Sequence, residues 1–139
     1  MGCVLRIAGS KSAVRAFTAR TSLPVCRIFI KGEPMFPGMK RLTRITGFNI
    51  DVSSASGTDH KAQVRDALRF FKRHALELRR LRAAFPRAKP ELDFSIWVTA
   101  PPETFTHSYW LPPPLLTLAA QYGVTIRFSF YPTQEEEAG

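Results

Sequence analysis

The feature that most constrains this chain is a change of hydrophobic period along it. Val124, Ile126, Phe128 and Phe130 alternate with Thr125, Arg127, Ser129 and Tyr131. That is the period of two expected of a strand with one buried face. Leu92, Phe94, Ile96 and Val98 alternate in the same way with Asp93, Ser95 and Trp97, and Phe48, Ile50 and Val52 with Gly47, Asn49 and Asp51. Between these segments the period lengthens. From Asp59 to about Phe85, apolar residues recur at Val64, Leu68, Phe71, Ala75, Leu78 and Phe85, with spacings of 4, 3, 4, 3 and 7. This stripe predicts one amphipathic helix of about seven turns. Alternating strands call for a sheet with one covered face and one open face, and helices are the natural cover.

The remaining elements follow from shorter signals. Cys3–Ala8 reads as a strand, and Ser10 can cap a helix over about 11–20. Val25–Ile30 reads as a second strand, 32–43 as a surface loop rich in Pro and Gly, and 44–53 as the third strand. Thr58 or Asp59 can cap the long helix, and Pro86 and Pro90 stop it. Pro112–Pro114 opens a short helix over about 113–122, ended by Gly123. The order β-α-β-β-α-β-α-β predicts an α+β fold, a ferredoxin-like βαββαβ core extended by αβ. The sheet is expected to be largely antiparallel with helices on one face. Residues 1–132 are expected to form a single domain and 133–139 an acidic tail.

Charge narrows the partners. Of 139 residues, 20 are Lys or Arg and 11 are Asp or Glu, a formal charge of +9. Residues 1–90 hold 19 bases and 5 acids, a net of +14, and residues 91–139 hold 1 base and 6 acids, a net of −5. With 45% hydrophobic residues the chain is no disordered polybasic tail. The excess favours anionic partners without naming one, since Arg-rich composition can also follow from codon usage.

Two surfaces are singled out. On a wheel of 100° per residue centred on Phe71, Arg65, Arg69, Lys72, Arg73, Arg79 and Arg80 fall between about 80° and 200°. They make a positive ridge on the outer face of the long helix, suited to an acidic protein surface or to phosphates. A plain solvated helix face is the alternative. Arg82 falls inside the apolar stripe and is expected to snorkel outward or to find a carboxylate. The second surface is the open sheet face, with Arg6, Arg27, Phe29, Lys31, Asn49, Asp51, Ser95, Trp97, Arg127, Ser129 and Tyr131. Bases mixed with aromatics there suit single-stranded RNA. The RNP1 octamer of RNA-recognition domains is nevertheless missing, and a protein partner, a second copy or the long loops can cover the same face. A loop patch of Met35, Phe36, Phe105, His107, Tyr109 and Trp110 is expected where loops 31–41 and 101–111 rim a cleft.

Catalytic patterns are thin. His60 and His74 stand 14 residues apart, too far to share a metal. Glu103 and His107 would suit a metal only if their Pro-rich stretch were helical. No nucleophile elbow, P-loop or dinucleotide fingerprint occurs; Gly9-Ser10-Lys11-Ser12 has the end of a Walker motif without its first glycine. No cofactor or metal is expected. Cys3 and Cys26 have no metal spacing and are expected to be buried free thiols in a reducing cytosol. Arg6 stands where a myristoylation motif wants Ser or Thr, and no apolar run is long enough to span a membrane.

The chain resembles a family of small uncharacterised bacterial α+β proteins. Carrying the likeness are Cys3–Gly9, Lys31-Gly32-Glu33-Pro34, Thr46-Gly47-Phe48-Asn49, Asp66-Ala67 with Phe70-Phe71, Leu92-Asp93-Phe94, Leu111-Pro112 and Ser129-Phe130-Tyr131-Pro132. Some relatives are thought to be immunity proteins beside polymorphic toxins. The resemblance implies a cytoplasmic, non-enzymatic, partner-binding domain and carries over no active-site residue. The expected function is therefore protein binding, with the ridge of Arg65, Arg69, Lys72, Arg73 and Arg80 meeting an acidic partner. Single-stranded RNA on the open sheet is the alternative.

Overall fold

The computed structural model describes residues 2–98 and 107–132. Its elements are β1 (Cys3–Ala8), α1 (Lys11–Arg20), β2 (Val25–Phe29), β3 (Gly47–Ser53), α2 (His60–Arg73), α3 (Ala75–Ala84), β4 (Glu91–Val98), α4 (Pro113–Gln121) and β5 (Thr125–Pro132). The five strands form one mixed sheet in the order β2-β3-β1-β4-β5. β1 runs antiparallel to both its neighbours, and β2 runs antiparallel to β3. β5 pairs parallel with β4 over eight residues, so the sheet is mostly antiparallel with one parallel edge.

The alternation places the core. Leu5, Ile7, Phe48, Ile50, Leu92, Phe94 and Ile96 turn to one face and are buried with Val14, Ala67, Phe71, Leu78, Leu81, Leu115 and Ala119 of the four helices. Phe17, Phe48 and Phe85 meet with ring centroids 5.7 Å apart, knitting α1, β3 and the end of α3 together. Caps stand where the residue types predict. Ser10 accepts from the Ala13 N–H at 3.2 Å and Asp59 from the Ala62 N–H at 3.1 Å. Pro113 occupies the first turn of α4, and Gly123 ends it with φ of 67°.

Several expectations are corrected. The long helix is two helices that meet at His74, whose φ and ψ are −108° and 24°. The inward arc of α2 and α3 runs through Val64, Ala67, Phe70, Phe71, Leu78 and Leu81; His74 falls on that arc at the junction. Leu68 is only half-buried. The third strand begins at Gly47, because 31–46 folds away as an extended excursion pinned by a bridge between Pro34 and Leu42. Cys3 is buried, but Cys26 is exposed, because β2 is an edge strand with a register shift between Val25 and Arg27. Excursion 31–46 lies at the Ala8 end of β1, whereas the segment leading into α4 lies at the Cys3 end, where Trp110 meets His60. Residues 107–111, the described part of the second loop, therefore do not rim a cleft with the excursion. Glu103, Phe105 and the tail 133–139 lie outside the described residues.

Candidate functional site

The polar positions of β1, β3, β4 and β5 turn away from the helices. Register makes one row of Arg27, Asn49, Arg6 and Glu91 across four strands. In the next row Asp93 stands beside Arg127. Arg6 Nε lies 3.1 Å from Asp93 Oδ2, and Ser129 Oγ donates to Asp93 Oδ1 at 2.7 Å. These contacts explain how Asp93 stays only 3% exposed. Arg127 pairs with Glu91 at 3.1 Å, which raises the guanidinium pKa further.

Excursion 31–46 rises over this end of the face. Arg27 donates to the Met35 carbonyl at 3.0 Å and lies 4.1 Å from the centre of the Phe36 ring. The Thr43 N–H donates to the Glu33 carbonyl at 2.8 Å. Between excursion and sheet lies a cleft of about 460 Å³. Six bases line it: Arg6, Arg27, Arg41, Arg44, Lys89 and Arg127; Glu91 is its one acid. Its apolar wall includes Phe29, Met35, Leu42 and Ile45. At its floor, Asn49 Oδ1 and Thr43 Oγ1 are buried and lack a hydrogen-bond partner.

Of the open-face aromatics Phe29 belongs to this cleft, while Trp97 and Tyr131 lie elsewhere. Trp97 and Tyr131 are register neighbours and are 46% and 48% exposed. Trp97 rests on Gly57, where a Cβ would come within 2.6 Å of the indole. Six strand residues, about 20 Å, separate Trp97 from Glu91 at the cationic end. Lys31 is exposed beyond β2 and does not line the cleft. The bases of the cleft and the Trp97–Tyr131 pair are therefore on one face but at opposite ends of it.

The loop patch also divides. Phe36, 50% exposed, belongs to the excursion over the cleft. Tyr109 packs inward, its ring 5.2 Å from His60 and 5.9 Å from Phe130. Trp110 is 72% exposed, and its carbonyl lies 3.2 Å from His60 Nε2. His107 is exposed. His60 is thus part of an aromatic cluster with Phe94 and Phe128 at 5.4 and 5.8 Å. Among the described residues no group of three His, Cys, Asp or Glu side chains could hold a metal ion. Nor is any helix among them long and apolar enough to cross a membrane.

The ridge is the second charged surface. Lys61, Arg65, Arg69, Lys72 and Arg73 are exposed on α2 around a shallow groove of about 740 Å³ floored by Val64 and Leu68. Among the described residues the acid paired with it is Asp66, 3.9 Å from Arg65, and its other oxygen accepts from the buried Ser53 hydroxyl at 2.7 Å. Arg80 does not belong to this surface. It sits on α3, paired with Glu77, which also accepts from Thr21 at 3.0 Å. Those two hydrogen bonds, Arg80 first, hold the Glu77 carboxyl below its ordinary pKa. Arg82 turns out to solvent and donates to the Gln121 carbonyl at the end of α4, a carbonyl rather than a carboxylate. Set against known proteins, the chain matches no family model, no curated protein and no solved structure.

Proposed function

We propose that this protein is a non-enzymatic binding module that receives an acidic protein segment on the outer face of α2. The observation that carries the reading is the spacing of the charges. Lys61, Arg65, Arg69 and Arg73 follow one another at i, i+4 on an exposed face. Each like-charged step costs a helix about 0.2–0.5 kcal/mol. A solvated face with no partner gains nothing from that arrangement, since alternating signs would stabilise the helix. The half-buried Leu68 and Val64 between the cations supply an apolar floor, so the matching partner is an acidic segment with an apolar anchor.

The scaffold reading that goes with this is a ferredoxin-like split βαβ core extended by α4 and β5. It is supported by the order β2-β3-β1-β4 and by β1 running antiparallel to both neighbours. An immunity-type role in the cytoplasm, blocking an acidic toxin surface, is the form of the proposal that the family resemblance suggests.

The test is titration calorimetry of the full chain against the product of the adjacent reading frame. R69E/R73E is expected to weaken a 1:1 complex by at least about tenfold and to slow association most at low salt. Unchanged affinity would remove α2 from the interface.

Single-stranded RNA on the open sheet is the second reading, favoured by the exposed Trp97 and Tyr131 side by side. Arg127 stands about 13 Å from that pair and is tied to Glu91, and Arg6 stands about 20 Å away with Asp93 between, which suits a stacking platform less well. Gel shifts at low salt that persist in W97A/Y131A would end this reading.

A further inference from the structure

On the face opposite α2, we propose that the cleft beneath excursion 31–46 is a binding site for a nucleoside 5′-monophosphate. Its floor, rim and wall each point to one part of such a ligand.

The floor holds buried polar atoms that the protein leaves unsatisfied. Asn49 is 3% and Thr43 7% exposed, yet Asn49 Oδ1 and Thr43 Oγ1 have no partner. Buried polar atoms in a folded chain are almost always paired, so an orphaned pair lining one cleft marks the place of a ligand's hydrogen bonds. A side-chain amide offers an acceptor and a donor in one plane, the pattern that matches the edge of a nucleobase.

The rim supplies positive charge that the chain has not already used. Arg6 and Arg127 are paired with Asp93 and Glu91, and Arg27 is held by the Met35 carbonyl. The side chains of Arg41, Arg44 and Lys89 line the same cleft and, among the described residues, make no hydrogen bond or ion pair. Three uncommitted cations at the mouth of a cleft suit a phosphate.

The wall is apolar. Phe29, Leu42 and Ile45 offer a surface against which a flat ring can lie. Inorganic phosphate would leave this wall and the Asn49 amide unused, and a fatty acid would leave the amide unpaired. A volume of about 460 Å³ lies within the range of small-ligand sites.

The test is calorimetry of the full chain at low salt with AMP, GMP, CMP and UMP in turn. Adenosine or the matching nucleoside, inorganic phosphate and a 5′-phosphorylated decanucleotide serve as comparisons. One monophosphate is expected to saturate a single site. The nucleoside and phosphate alone are each expected to bind at least about tenfold more weakly. R41A/R44A, two exposed positions, should weaken binding by about tenfold or more, and N49A likewise. R69E/R73E should leave it unchanged, which separates this site from the α2 surface. If N49A does not fold, R41A/R44A decides. The proposal is overturned if no monophosphate saturates at millimolar concentration, or if phosphate alone binds as tightly. Binding indifferent to R41A/R44A, or binding of the decanucleotide alone, overturns it equally.

Discussion

Gln63 is fully buried on α2, and its amide nitrogen donates to the carbonyls of Gly2, Ser56 and Ser95 at 3.0, 3.3 and 2.9 Å. One side chain thereby ties the start of α2 to the residue just before β1, to the turn ahead of the helix and to β4. Gln63→Ala would remove these three bonds and leave a gap in the core, although the Gly2 and Ser56 carbonyls keep the Ser95 and Asp59 N–H groups as donors. We expect a loss of about 1–3 kcal/mol, read as a lower denaturant midpoint with an unchanged slope. Nothing in the residue types flags Gln63, because a polar residue near a helix start ordinarily faces water. The cysteines make the converse point. Both stand in apolar stretches, but Cys26 is on an edge strand and Cys3 on the central one. Burial, reinforced by the Asp93 carboxylate, pushes the Cys3 thiol well above its ordinary pKa, and a weaker burial with Asp51 raises Cys26. Alkylation of the native protein should modify Cys26 alone, faster as pH rises, and Cys3 only after unfolding. Two thiols modified at equal rates would contradict this burial.

At the scale of elements, the break at His74 is the feature the apolar spacing could not show. The His74 N–H still donates to the Phe70 carbonyl at 3.0 Å, and the Leu78 N–H to the His74 carbonyl at 2.9 Å. The ladder of α2 therefore ends on His74 and that of α3 starts from it, and with Phe71 and Leu78 both buried a wheel drawn through the bend stays in phase. Burial, then the charge of Arg73, lower the His74 pKa, with Glu77 opposing. A His whose folded pKa lies below its unfolded value of about 6.5 binds protons more readily in the unfolded chain. Its neutral form thus supports the fold at neutral pH, and that support fades as pH falls below about 6.5. The drop in stability between pH 7.5 and 5.5 should be smaller in H74Q than in the wild type, as measured by thermal unfolding. At β3 the contact is steric. A Cβ on Gly47 would come within 2.2 Å of the Ile7 carbonyl. Gly47→Ala should cost about 1–3 kcal/mol by forcing β1 and β3 apart at their Ala8 end. Amide exchange in β1 is the measurement, and protection equal to wild type would show that the strands accommodate the methyl.

Over the whole molecule, charge is sorted rather than spread. α2 carries one cationic surface and the end of the open sheet face another, with the sheet and its core between them. Self-repulsion along α2 predicts that R69Q/K72Q is more stable than the wild type at low salt. The gain should be a few tenths of a kcal/mol and vanish near 1 M salt, where the Debye length is about 3 Å. A salt-independent difference would mean that packing, not charge, separates the two. The strands, the helical stretches apart from the break at His74, the cap at Ser10 and the one-sided core were legible in the chain, and the cap of α2 was narrowed to Thr58 or Asp59. They depend on period and on neighbours within a few residues, and both are written in order along the sequence. The partner of each strand, the parallel seating of β5, the exposure of Cys26 and the separation of residues 107–111 from the excursion were not, because they depend on which distant segments share a neighbourhood. The same holds for the cleft. Arg6, Arg27 and Asn49 could be placed on one face by alternation alone. Only the fold of excursion 31–46 brings Thr43, Arg41 and Arg44 to them and leaves two buried polar atoms in that cleft waiting for a partner.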